Sequence, residues 1–266
     1  MSEPLELRSG LVATPFEGHA GLADQAEDWE ALNLGAGRDP LCNRFDWAEA
    51  YAAAWVDERD LFGWCVRDGA GPLAVRAGAE APVAEALFEL LAGRAGIQAA
   101  VLSPLIHDSA LLGSLRHVAE RRGLCPGEER LACPVAELPP SWEAFLFGLK
   151  KRMRSKVRQA RRRVDERGGQ CSWSTDPSGI DADLAHLYTL HAARWRDAGI
   201  DGAFADERRR RFYRRLVDQH LPAGRLRFSR LELDGRTVAC QFGVAVDNRY
   251  YQLQEGYDPE LEDLRV

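Results

Sequence analysis

The sequence predicts a layered α/β protein whose sheet strands run mostly antiparallel with helices against them. Three observations predict it. Helix-period and strand-period segments alternate through the first half. Pro139-Pro140 breaks the chain near its middle. Beyond that break, helices are followed by three strands with period-two alternation and tight turns between them. The 266 residues are 45% hydrophobic and 29% charged, a composition that excludes whole-chain disorder, collagen and coiled coil. That length accommodates one large domain or two of average size.

In chain order, residues 1–25 read as a loose lead-in. Asn43 to Val56 is a helix, with Phe45, Trp47, Ala48, Tyr51 and Trp55 at helical spacing. Phe62 to Arg67 is a strand, and a turn over residues 68–72 allows Leu73 to Ala77 to pair back on it. Val83 to Ala92 is a helix, and Ala99 to Leu102 a short buried strand. Asp108 or Ser109 caps a helix running to about Arg122, and Glu129 to Val135 is a further strand.

After the proline pair, Ser141 caps one long helix over 141–167, stopped by Gly168-Gly169. Its stripe is Phe145, Leu149, Met153, Val157, Ala160 and Val164. Asp181 caps the next helix, which carries Leu184, Leu187, Tyr188, His191 and Trp195 on one face. Another helix spans Asp206 to His220. Then Leu226 to Leu233, residues 236–246 and Arg249 to Gly256 form a three-stranded meander, with Asp234-Gly235 and Asp247-Asn248 as its turns. The first strand carries a bulge between Phe228 and Leu231, where its inward set changes phase.

The net charge of −6 conceals an asymmetry. Residues 150–163 (KKRMRSKVRQARRR) hold nine of the 35 Lys and Arg and no acid. The rest is acidic, which argues against a general nucleic-acid coat and for one place where anions gather. None of the six cysteines forms a C-x-x-C pair or sits at zinc-ligand spacing from a histidine, so no metal is expected. Residues Met1-Ser2-Glu3-Pro4 lack the basic-then-apolar order of a signal peptide, and no apolar run reaches membrane-spanning length, so the expectation is a cytoplasmic protein without membrane insertion.

The segments WEAFLFGLKKRMRSKVRQARRRVDERG, LHAARWRDAGIDGAF and GRLRFSRLELDGRTVACQFGVAVDNRYYQLQEGYDPE, with the earlier Trp29-Glu30-Ala31-Leu32, resemble the CelD/BcsL-type GNAT acetyltransferases. These are relatives of the FemAB-like tandem-GNAT proteins and are linked with cellulose and exopolysaccharide production. The resemblance runs in order over about residues 29–260. It implies tandem GNAT-like lobes: a degenerate first lobe over 26–136 and the N-terminal half of a second over 137–266. It implies acyl transfer from acetyl-CoA as co-substrate to an amine acceptor such as one on a sugar precursor. It also implies a pyrophosphate-binding loop after Tyr257-Asp258-Pro259. No Ser-Pro-Gly follows by Val266, so that loop and the rest of the second lobe are expected beyond the last residue.

Within this frame, His191 is a candidate base, with Arg194 and Trp195 one turn on; its other reading is a core histidine bonded to a neighbour. Glu255, at the end of the strand expected to flank the thioester, is a second proton acceptor, and Tyr257 a proton donor to the leaving thiolate. A solvated Glu and a packing Tyr are the alternatives. Gln252 and Gln254 have less claim. Lys151, Arg154, Arg158, Arg161 and Arg162, with Arg194, form the candidate anion-binding set for a nucleotide-sugar, a CoA phosphate or RNA. A FemAB-like transferase using aminoacyl-tRNA is one rival reading; an accessory protein binding a polyanion without catalysis is another. His107-Asp108-Ser109 reads as helix capping, Gly69 and Gly71 open no dinucleotide-binding helix, and Trp142, Trp173 and Trp195 read as packing residues.

Overall fold

Two antiparallel sheets, one in each half of the chain, organise the protein. The computed structural model describes residues 3–36, 41–68, 79–94, 97, 99–102, 105, 107–196 and 199–264. The chain divides into two compact units, Met1–Ala132 and Cys133–Val266.

In the first unit, β1 (Leu5–Glu6) and β2 (Val12–Glu17) lead into α1 (Gly18–Ala23), α2 (Ala26–Ala36), α3 (Phe45–Trp55), β3 (Phe62–Arg67), α4 (Glu80–Gly93) and α5 (Ala110–Arg121). The sheet order is β1-β2-β3, with Val12 opposite Arg67 and Glu17 opposite Phe62. The loose lead-in expected over 1–25 is therefore corrected. Leu7, Leu11 and Ala13 are buried against Ala86 and Leu90 of α4, and β2 receives its backbone partners from β3. That burial orders the segment, and its partner lies some fifty residues away, where no local pattern reveals it. The strands expected at Ala99–Leu102 and Glu129–Val135 are absent: both stretches lie exposed and make no ladder among the described residues. Without a neighbouring strand, extended backbone gains nothing over hydration. Leu73–Ala77, Gly69 and Gly71 lie outside the described residues. Ser109 does cap α5, its hydroxyl accepting from Leu112 N.

The second unit opens with α6 (Trp142–Gly148) and α7 (Lys151–Glu166). Ser141 caps α6 by accepting from Ala144 N at 3.1 Å. The single helix expected over 141–167 is thus two helices, because Leu149 and Lys150 are extended (ψ 146 and 145). The break follows Gly148, a poor helix former. Beyond it, cations crowd the positive end of the helix dipole, with no acid in the first turn of α7. Gly168, at φ +65, ends α7 in the left-handed conformation expected of such a stop.

β4 (Gln170–Trp173), not anticipated from its short polar sequence, pairs with the meander. Asp176 accepts from Ser178 N and caps a 3₁₀ turn leading into α8 (Ile180–Arg196). Asp181, the expected cap, instead sits in the first turn of α8 and pairs with Arg214 of α9 (Glu207–His220). β5 (Leu226–Leu233), β6 (Arg236–Val246) and β7 (Arg249–Tyr257) complete a sheet of order β4-β5-β6-β7. Asp234-Gly235 (φ 50 and 73) and Asp247-Asn248 (φ 51 and 59) make the two tight turns, both residues of each left-handed as a type I′ turn requires. The β5 irregularity falls at Leu231/Glu232.

The core of this unit is aromatic. Phe228 meets Phe242 edge-on at 5.2 Å, Phe242 meets Tyr213 at 5.1 Å, and Tyr213 meets Phe204 at 5.1 Å. Leu184, Leu187 and Leu216 fill the space between these rings and the helices. Trp142 and Trp173, expected to pack, are exposed instead. Among the described residues, no helix is long and apolar enough to cross a membrane.

Candidate functional site

The register of the second sheet sorts its side chains onto two faces. Ser229 pairs with Gln241 and Gln241 with Glu255; Leu231 pairs with Ala239 and Ala239 with Tyr257. Paired residues share a face, and neighbours along a strand alternate. Phe228 and Phe242 point toward α9, where Tyr213 meets them, so the Ser229–Gln241–Glu255 and Leu231–Ala239–Tyr257 rows occupy the opposite face. Cys171 of β4 joins them through its pairing with Leu231. A shallow cavity of about 160 Å³ opens there, lined by Cys171, Ser229, Leu231, Gln241, Glu255 and Tyr257.

A bulge in β7 builds the polar centre of this face. Phe242 opposes Gln254 and Gly243 opposes Gln252, leaving Leu253 as the extra residue. In a regular strand Gln252 and Glu255 would point to opposite faces. The bulge brings them to the same one, and Gln252 Nε2 donates to Glu255 Oε2 at 2.7 Å. Arg194, from α8, donates to Glu255 Oε1 at 2.8 Å, and its guanidinium carbon lies 5.0 Å from the Tyr257 ring centroid. Each carboxylate oxygen keeps one lone pair available. The Arg194–Glu255 pair is partly exposed, so its contribution to stability is small, about 0–1 kcal/mol. What it does is fix the carboxylate's orientation.

Two glycines make the geometry possible. A Cβ on Gly256 would stand 2.6 Å from His191 N, so only glycine lets α8 come this close to β7. A Cβ on Gly243 would stand 2.4 Å from the Tyr250 ring. That ring crosses the glycine, and its hydroxyl donates to Gln241 Oε1 at 3.0 Å. Partial burial, with the Glu255 charge nearby, raises the Tyr250 phenol above its ordinary range.

His191 lies on the other side of β7. It is 3% exposed. Trp195 Nε1 donates to its Nε2 at 3.1 Å, which assigns the proton of the neutral ring to Nδ1. Nδ1 faces Gly202 and makes no hydrogen bond among the described residues. Burial, reinforced by Arg194 and Arg209, holds the ring below the usual histidine range, while Gln254 works against that shift. At neutral pH the ring is uncharged.

Of the residues singled out from sequence, Glu255, Tyr257 and Arg194 come together at the cavity, and His191 sits one helical turn from Arg194 behind the strand. None of the cations of α7 lines the cavity. Arg162 pairs with Glu166 at 3.0 Å and Arg161 with Asp165 at 4.0 Å. Arg154 donates to the Phe147 carbonyl at 3.4 Å, and Lys151 and Arg158 make no ion pair among the described residues. Sequence reading did not single out Ser229, Gln241, Tyr250 or the pair of half-buried Arg230 with buried Asp183. Gln241 had a visible signal as the polar interruption of an otherwise apolar strand. Tyr250 had none, since its reach depends on Gly243. Among the described residues, no three His, Cys, Asp or Glu side chains converge as metal ligands.

Residues 151–266 match the family model of the acetyltransferase (GNAT) domain. The mixed α/β architecture with antiparallel sheets is consistent with a GNAT-type fold, and such domains use acyl-CoA to acylate an acceptor. No curated protein matches the chain.

Proposed function

We propose that the second unit transfers an acyl group from acyl-CoA to an amine on the open face of β7, with Glu255 as the proton acceptor. The observation that supports this most is the placement of Glu255. It lines a cavity within the family-matched residues and is oriented by Arg194 and Gln252. The cavity, of about 160 Å³, has room for several waters, each needing at least about 10–15 Å³ of such volume. An acetyl thioester and an amine nitrogen fit that space.

The chemistry asks three things of the chain. A neutral amine that attacks the thioester carbonyl forms a C–N bond and must shed a proton, which Glu255 accepts. The carbonyl oxygen gains charge as the C–S bond breaks, and β7, the edge strand of the described sheet, offers backbone N–H groups from its outer side. The sulfur leaves as thiolate and takes the Tyr257 phenolic proton, which solvent then restores. The products are an amide and free CoA. His191, with Nε2 engaged by Trp195, holds α8 against β7 and so positions Arg194.

The finer assignment rests on the resemblance that runs in order over about residues 29–260. It assigns the protein to the CelD/BcsL-type branch, with acetyl as the acyl group and a sugar amine of exopolysaccharide or cellulose production as the acceptor. On that reading the first unit is a second GNAT-like lobe that lacks the acyl-transfer residues.

The test is CoA thiol release from acetyl-CoA by the full chain across a panel of amino sugars and their nucleotide conjugates. Turnover should fall about 10²–10⁴-fold in Glu255→Gln. Equal turnover in that variant, or transfer only from aminoacyl-tRNA, would overturn the proposal.

A further inference from the structure

The most charged surface of the protein is not the cavity. α6 and α7 meet at the extended pair Leu149-Lys150, and around that joint cations and apolar side chains stand side by side in solvent. Lys150, Lys151, Arg152, Lys156 and Arg158 make no ion pair among the described residues, whereas the acids of α7 pair with Arg161 and Arg162 at its far end. At about 100° per residue, Lys151, Arg154 and Arg158 share one side of α7, turned away from the Met153–Val157–Ala160–Val164 stripe, while Lys156 borders that stripe on the other side with Arg152 beyond it. Val164 packs on Leu233 and Val238 and anchors the C-terminal end of α7 to the sheet. Near the joint Met153 is 50% exposed, Phe147, beside Arg154, 81% and Trp142 46%.

We propose that this joint docks on an anionic lipid surface. Phe147 enters the boundary between headgroups and acyl chains, and the five unpaired cations lie among the headgroup phosphates. Charge complementarity is local: outside residues 150–163 the chain holds 26 basic against 41 acidic side chains, and in the other basic run, on α9, Arg208 pairs with Asp206 and Arg214 with Asp181 and Asp218, so attraction to an anionic surface is strongest at this patch. The rings distinguish lipid from RNA. Trp142 is already stacked on Phe145 at 5.5 Å and 24°, and the Arg154 guanidinium carbon lies 5.6 Å from the Phe147 ring centroid. One face of Trp142 is thus covered by Phe145, Phe147 stands as a single open ring, and Met153 offers no stacking face. A hydrocarbon boundary asks only for exposed apolar volume. This inference does not depend on the acyl-transfer reading.

The test is co-sedimentation of the full chain with phosphatidylcholine vesicles, alone and with roughly a third phosphatidylglycerol, over a salt series. The chain should sediment with the anionic vesicles, remain in solution with the neutral ones, and be released as salt rises. Replacing Arg152, Lys156 and Arg158 with alanine should weaken the partition about a hundredfold, at roughly fivefold per cation. Phe147→Ser should weaken it about tenfold, and at so exposed a position it leaves the fold intact, as circular dichroism would verify. Folded protein that ignores anionic vesicles, binds both lipids equally, or partitions unchanged in both variants overturns the proposal. So does RNA binding that survives an excess of anionic vesicles.

Discussion

The two units use different core materials for similar purposes. The buried residues of the first are mainly alanine and leucine: Ala13, Ala50, Ala52, Ala54, Ala84, Ala86, Leu90 and Leu115. The second buries Phe204, Phe212, Tyr213, Phe228 and Phe242 in a chain of edge-on rings. Small side chains let helices and strands approach closely but gain little transfer free energy each; large rings bury more area per residue and impose geometry on their neighbours. The candidate site lies on the sheet backed by the rings. A site that needs a bulge, a glycine under a tyrosine and an arginine reaching around an edge strand needs a rigid support.

Truncation experiments would sharpen this contrast. Phe242→Ala removes the ring shared by Phe228 and Tyr213 and should cost about 3–5 kcal/mol, read as a lower denaturant midpoint for the transition of the second unit. In the first unit, Leu115→Ala should cost about 2–3 kcal/mol, and Ala86→Gly, within α4, only about 1 kcal/mol. A larger loss for Ala86→Gly than for Phe242→Ala would break the comparison.

The turns give smaller effects. Asn248→Val puts a β-branched residue at φ 59 and should cost about 1–2 kcal/mol in thermal or denaturant unfolding. Asp247→Gly, which suits the same left-handed region, should leave stability within about 0.5 kcal/mol of the parent.

Histidine linkage has a definite sign. The folded-state value for His191 lies below the unfolded one, so the unfolded chain binds the extra proton first as pH falls. Stability from this group is intact above about pH 6.5 and is lost as pH drops through the interval down to the folded value, with a slope of at most about 1.4 kcal/mol per pH unit. In His191→Gln that part of the acid-side slope should disappear from denaturation curves taken across pH 4–8 (a range of about four units chosen to bracket the histidine value). The smallest perturbation is chemical. Burial, with Asp183 nearby, pushes the Cys240 thiol up to about 12, so iodoacetamide should modify exposed Cys125, Cys133 and Cys171 in native protein and reach Cys240 only on unfolding.

The same contrast explains what sequence reveals. The meander was legible because Asp234-Gly235 and Asp247-Asn248 announce its turns and Val238, Cys240, Phe242, Val244 and Val246 alternate without error. The sheet of the first unit was not, because β2 pairs with a strand far along the chain and no turn residue joins them. The break at Leu149-Lys150 was hidden because Leu149 continues the apolar stripe of α6 into α7; periodicity records faces, not backbone breaks. At the site, Glu255, Tyr257 and Arg194 were visible as residues. The arrangement that joins Glu255 to Gln252 was not, since one extra residue in β7 reverses the face of everything before it.

The account stands on the open face of the second sheet as the place where acyl-CoA and acceptor meet. The direct measurement is an amide-resolved NMR titration of the full chain with acetyl-CoA. Shifts clustered at Ser229, Gln241, Gln252, Glu255 and Tyr257, with the first unit unmoved, are the predicted result. Shifts confined to residues of the first unit, or to α7 alone, would contradict it.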